Sequence, residues 1–117
     1  MDQSLTRLRP SDRHGTWVLA TASGTRYELT HNEHGCTVSR LPGQTEESAN
    51  LRRDREPIRL LGVNTVDEQR TVTVGELRVG QRAVLLLEPL AADAVYTQRV
   101  TTPVVAITKQ KAVVGQG

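Results

Sequence analysis

The densest group of chemically capable side chains is His31, Glu33, His34 and Cys36. Imidazole, carboxylate and thiolate are all zinc ligands, and a turn can gather them. Here they crowd into one short stretch, and His14 is the only other histidine. No distant Cys or His pair completes a tetrahedral set. His31, His34 and Cys36 are therefore weak metal candidates, and no cofactor is expected. The same residues permit thiol chemistry, because a histidine beside a cysteine can act as its base. His34 and Cys36 lie two apart, so on a strand they share a side. No Gly-x-Ser-x-Gly elbow and no cysteine-protease signature accompanies them. A lone cysteine on a strand is more often a small core residue.

The second group is basic. Arg52, Arg53 and Arg55 surround Asp54, and Arg59 follows four residues after Arg55. Guanidinium groups bind carboxylate or phosphate through paired hydrogen bonds, so these four are the candidate partner-binding residues. Nucleic acid is the less favoured partner. Single-strand readers add aromatic platforms to a basic groove, and only Trp17, Tyr27 and Tyr96 are aromatic. The acids are scattered, apart from Glu46-Glu47 and Asp67-Glu68. No pair suggests general acid–base work. There is no Gly-x-x-x-x-Gly-Lys and no Gly-x-Gly-x-x-Gly, so nucleotide chemistry lacks its phosphate cradle.

Composition narrows the classes further. The chain has 117 residues, 37% hydrophobic, with a net charge of +2. That suits one globular unit rather than a disordered chain. The 15 basic residues barely exceed the 13 acidic ones. The pI of about 9.1 reflects non-titrating arginine more than a basic surface. The longest apolar run, Ala83 to Leu87, is far short of a membrane helix. One cysteine excludes a disulfide within the chain and fits a reducing compartment. The cytoplasm is the expected location, with no membrane partner.

The elements that would position these residues are strands. Valine and threonine are abundant, phenylalanine is absent, and no long stretch has a clean helical period. Thr16–Ala22 and Thr25–Thr30 around Ser23-Gly24 make the strongest hairpin signal. Trp17 and Leu19 would share a buried face with Tyr27 and Leu29. Further strands are expected at Cys36–Arg40, Ile58–Val63, Arg70–Val74, Val95–Val100 and Thr102–Lys109. Polar turns are expected at His31–Gly35 and Asn64–Glu68. Gln81–Glu88, apolar on both faces, reads as a central strand. The segment from Gln44 to Pro57 is a long loop or carries one short helix near residues 45–53.

These features predict an all-β fold, a small antiparallel β-barrel or sandwich of about six to eight short strands. A flexible N-terminal arm is expected over residues 1–13, a β-rich domain over 14–109, and a frayed tail over 110–117. The leading functional expectation is a non-catalytic protein-binding module acting through the Arg-containing middle loop. The alternative is a multi-copy structural or assembly protein, such as a virion component, that uses its arm and edge strands. A small thiol enzyme ranks third. A protein partner or self-association is thus expected.

Overall fold

The computed structural model describes residues 3–43, 54–90 and 92–110. The described residues are almost entirely strand: β1 (Gln3–Leu5), β2 (Arg7–Leu8), β3 (Gly15–Thr21), β4 (Arg26–Asn32), β5 (Gly35–Leu41), β6 (Ile58–Val66), β7 (Val72–Val74), β8 (Leu77–Arg78), β9 (Arg82–Leu87) and β10 (Thr97–Lys109). A single 3-10 turn, Pro10–Asp12, interrupts them. Residues 45–53, where a helix was one option, lie outside the described residues, as do Arg52 and Arg53. No helix among the described residues is long and apolar enough to cross a membrane.

All pairings among the described residues are antiparallel. Hydrogen bonding runs β1-β10-β3-β4-β5-β6-β7, with β9 bridging β6 and β10, and β2 pairs β8 separately. The ladder therefore returns on itself through β9. Two strands make this possible by serving both sides. β10 pairs β3 through Val104 to Lys109 and β9 through Thr97 to Pro103. β6 pairs β5 through Ile58 and Arg59, and β9 from Leu60 onward. Each shows a register shift at its corner, at Leu60/Gly62 in β6 and around Pro103 in β10. Bulges bend strands, so this is where a strand can leave one sheet face for another.

The corner in β10 corrects the strand boundaries expected there. The two strands expected at Val95–Val100 and Thr102–Lys109 are one, Thr97–Lys109, with Val95 and Tyr96 preceding it. Proline lacks an N–H, and a bulge is where that loss does least damage. The local backbone groups are still satisfied. Ala83 N–H donates to the buried Thr101 hydroxyl at 3.0 Å, and Pro103 carbonyl accepts from Ala22 N–H at 2.9 Å.

The Thr16–Thr30 hairpin forms as the alternation requires. Trp17 pairs Leu29 and Leu19 pairs Tyr27, and all four are buried. Gly24 turns the chain with φ of 91°. Gly43 then packs so closely that a Cβ there would lie 2.6 Å from the Gly24 carbonyl oxygen. The β4–β5 turn is tighter than the expected His31–Gly35, because pairing continues to Asn32 and Gly35. Likewise β6 runs on to Val66, through the start of the expected Asn64–Glu68 turn.

Ala83, Leu85 and Leu87 of β9 enter the core with Leu19, Leu29, Ile58, Leu77 and Ile107. Burial of each large aliphatic side chain contributes roughly 1.5–3 kcal/mol. The segment expected as a flexible arm is tied down where it is described. Gln3–Leu5 pairs β10, Arg7–Leu8 pairs β8, and Leu8 is part of the core. Its spaced Leu5, Leu8 and Pro10 resemble a polar arm only until a surface is available for them. At the other end, Gln110 N–H donates to Thr16 carbonyl at 2.9 Å, and residues 111–117 lie outside the described residues.

Candidate functional site

The structure brings only part of the histidine–cysteine cluster together. His31 faces Cys36 across β4 and β5, whereas His34 sits in the exposed turn. His31 Nδ1–H donates to the Arg13 carbonyl at 2.8 Å, since a carbonyl only accepts. Its ring meets His14 edge-on, with centroids 4.8 Å apart. Burial pushes the Cys36 thiol above its ordinary value, opposite to what a nucleophile needs. His34 Nε2 lies 3.6 Å from Glu33 Oε1, both side chains being exposed. Among the described residues no three His, Cys, Asp or Glu side chains are placed to hold a metal ion.

The middle loop has a firm foot. Arg40 Nη1 donates to Asp54 Oδ2 at 2.7 Å and to Oδ1 at 2.9 Å. Both side chains are only 8% exposed. Burial pulls the Arg40 pKa down, but Asp54 and Tyr27 outweigh it and leave the guanidinium more firmly charged. The next residue, Arg55, adopts a left-handed φ of 70° and donates its N–H to Arg40 carbonyl at 2.8 Å. Arg59 is displayed from β6, opposite Thr37. Arg55 and Arg59 thus leave from separate elements, the loop and the strand. Arg40 escaped the reading of the loop because its partner lies across a long connection.

A different surface stands out on the β6–β9 side. Register places Val74 beside Asn64, Asn64 beside Val84, and Val84 beside Val100. Ala83 and Leu85 point into the core, so Val84 points out, and it is buried only by its neighbours. Val74 is 73% exposed, and Val72, Leu61 and Val100 are each more than half exposed. No family model, curated protein or solved structure matches the chain. The functional reading therefore rests on this geometry alone.

At one end of the face lies a depression of about 270 Å³, lined by His31, Cys36, Leu61, Gly62, Val74 and Leu86. The face ends at β7, an edge strand. Asp67 N–H bonds Thr71 carbonyl, and Gly75 N–H bonds Val63 carbonyl. Antiparallel ladders alternate, so Thr73 turns its backbone groups toward β6. Val72 and Val74 then turn theirs outward, toward an edge that no other described strand pairs.

Just beyond β7, charge gathers around Glu76, which is buried. Arg78 Nε donates to its Oε2 at 2.6 Å, and Arg9 Nε lies 3.6 Å from Oε1. The Arg78 hydrogen bond holds the Glu76 carboxyl below its ordinary value of 4.5, against the opposing effect of burial. The Thr65 hydroxyl also donates to the Glu76 carbonyl. A carboxyl lowered by folding stabilises the fold above its unfolded value, and that contribution fades as pH falls through the folded value. Glu76→Gln is therefore expected to lower the urea midpoint at neutral pH. The gap from wild type should close as pH falls below about 4.5. A gap constant from neutral to acid would remove the ionised carboxylate from the explanation.

Proposed function

We propose that the chain is a non-catalytic interaction module that associates with further copies of itself through the β7 edge. The observation behind this is the open β7 edge flanked by exposed Val72 and Val74. Exposed edges with apolar flanks are templates for strand addition. This edge is also self-complementary. An antiparallel partner centred on Thr73 sets Val72 against the second copy's Val74, and the reverse. Their outward N–H and C=O groups would exchange hydrogen bonds in both places. Such a contact is isologous, as a two-fold dimer requires. We read the ladder closed through β9 as a small barrel that holds this edge rigid. The unpaired thiol fits the cytoplasm.

The test is solution mass by light scattering over a concentration series. Wild type is expected to rise from monomer to dimer. Val72→Lys combined with Val74→Lys places lysines opposite lysines, so the variant should stay monomeric. Both positions are exposed, so folding should be unaffected. Maleimide labelling of Cys36, the sole cysteine, should slow on association, because Val74 and Cys36 line the same depression. Wild type that remains monomeric at the highest concentration would end this reading.

A second surface is the middle loop with Arg52, Arg53, Arg55 and Arg59, proposed for an acidic protein partner. The Arg40–Asp54 anchor favours it, because it fixes the direction in which Arg55 leaves the fold.

A further inference from the structure

We propose that the pocket between the N-terminal segment and Trp17 binds a small ligand through a phosphate group. This pocket of about 260 Å³ is remote in kind from the apolar face. Arg7, Arg9, Arg13 and Lys109 line it against only two carboxylates, Asp12 and Glu76. Glu76 is already engaged with Arg78 and Arg9. Arg13 and Lys109 form no ion pair among the described residues. The pocket is thus cationic beyond what its own acids compensate.

Its inner wall carries a second signal. Trp17 closes the pocket from the core side and is 0% exposed. Its Nε1–H is buried and is the one such side-chain polar atom without a partner among the described residues. Indole N–H only donates, so what is missing is an acceptor. A ligand oxygen that parts the basic side chains over the ring would supply it. Register puts Gln3, Lys109 and Trp17 in one row across β1, β10 and β3. Gly15 keeps that row compact: a Cβ there would lie 3.1 Å from the indole and 3.6 Å from Lys109 Cε.

The chemistry favours phosphate over carboxylate. One arginine fork can occupy both oxygens of a carboxylate. Several cations around one small volume suit a group with more oxygens and more charge. A nucleobase has no exposed ring to stack on here, since the only indole is buried. The shared chemistry is therefore a phosphate, free or as a small ester.

Trp17 is the only tryptophan, so its fluorescence reports on this pocket alone. Full-length protein would be titrated with inorganic phosphate, O-phosphoserine, succinate and chloride at constant ionic strength. Calorimetry would run in parallel. Saturable binding of phosphate or phosphoserine, with succinate and chloride weaker, is expected, and the tighter of the two phosphates identifies free ion or ester. Arg13→Gln and Lys109→Gln should each weaken binding roughly tenfold, as loss of a charge-assisted hydrogen bond implies. Circular dichroism should be unchanged in both. No saturable signal by either method would overturn the proposal. So would succinate binding as tightly as phosphate, or variants that bind like wild type.

Discussion

Asp54→Asn is expected to destabilise the protein by roughly 3–5 kcal/mol, the usual penalty for breaking a buried ion pair from one side. Total stabilities of such domains are about 5–15 kcal/mol, so the urea midpoint should fall by roughly a fifth or more. The reason lies in where Arg40 stands. Register aligns it with Tyr27, Leu19 and Ile107, so it shares the inward face of the sheet. Its guanidinium has left water almost completely, and Asp54 accepts from it with both oxygens. Once Asp54 is neutral, that charge has no chemical escape, because arginine does not deprotonate. Arg40→Met is expected to be less damaging, since a buried carboxylate can take a proton instead. The double variant Arg40→Met/Asp54→Leu should recover most of the loss, as apolar replacements of buried pairs commonly do. Equal losses in Asp54→Asn and in the double variant would show that packing, not charge, holds this corner.

This ion pair also shows what the sequence could and could not reveal. On β5, Val38 and Arg40 have the same parity, so an arginine falls where an apolar residue belongs. That is a readable signal, because a buried cation needs an acid. Which acid cannot be read, since Asp54 is reached only through the connection's path. The hairpin around Gly24 was legible because its pattern and its turn are local. The central β9 was legible because its apolar run has no polar face to place. By contrast, β10 reads as two strands because Pro103 normally ends one. Only the closing of the ladder on β9 makes a bulge there useful. The β7 edge was hidden for another reason. Val72, Thr73 and Val74 alternate correctly, but alternation does not say which face is core. The pocket beside Trp17 joins residues from both ends of the chain with Glu76, and no spacing rule brings those together.

Trp17→Ala is expected to remove roughly 3–5 kcal/mol, in the range for deleting a buried large aromatic side chain. Trp17 has no exposed surface and packs in the row that carries Leu29 and Val38. Gly15 sits against its ring, leaving little freedom for collapse. Trp17→Phe separates volume from polarity. It leaves a smaller void but also removes a buried donor that has no partner among the described residues. An unsatisfied buried donor costs about 1–3 kcal/mol, comparable to the packing that the smaller ring gives up. The two effects oppose each other, so Trp17→Phe should lie within about 1 kcal/mol of wild type without ligand. Added phosphate should then tell the two proteins apart. A ligand stabilises the folded state by RT ln(1 + [L]/Kd), so tighter binding means a larger rise in midpoint. Wild type should gain more than Trp17→Phe if a ligand oxygen accepts from the indole. Equal gains would mean that the cations alone hold the ligand and that the indole is retained for its shape.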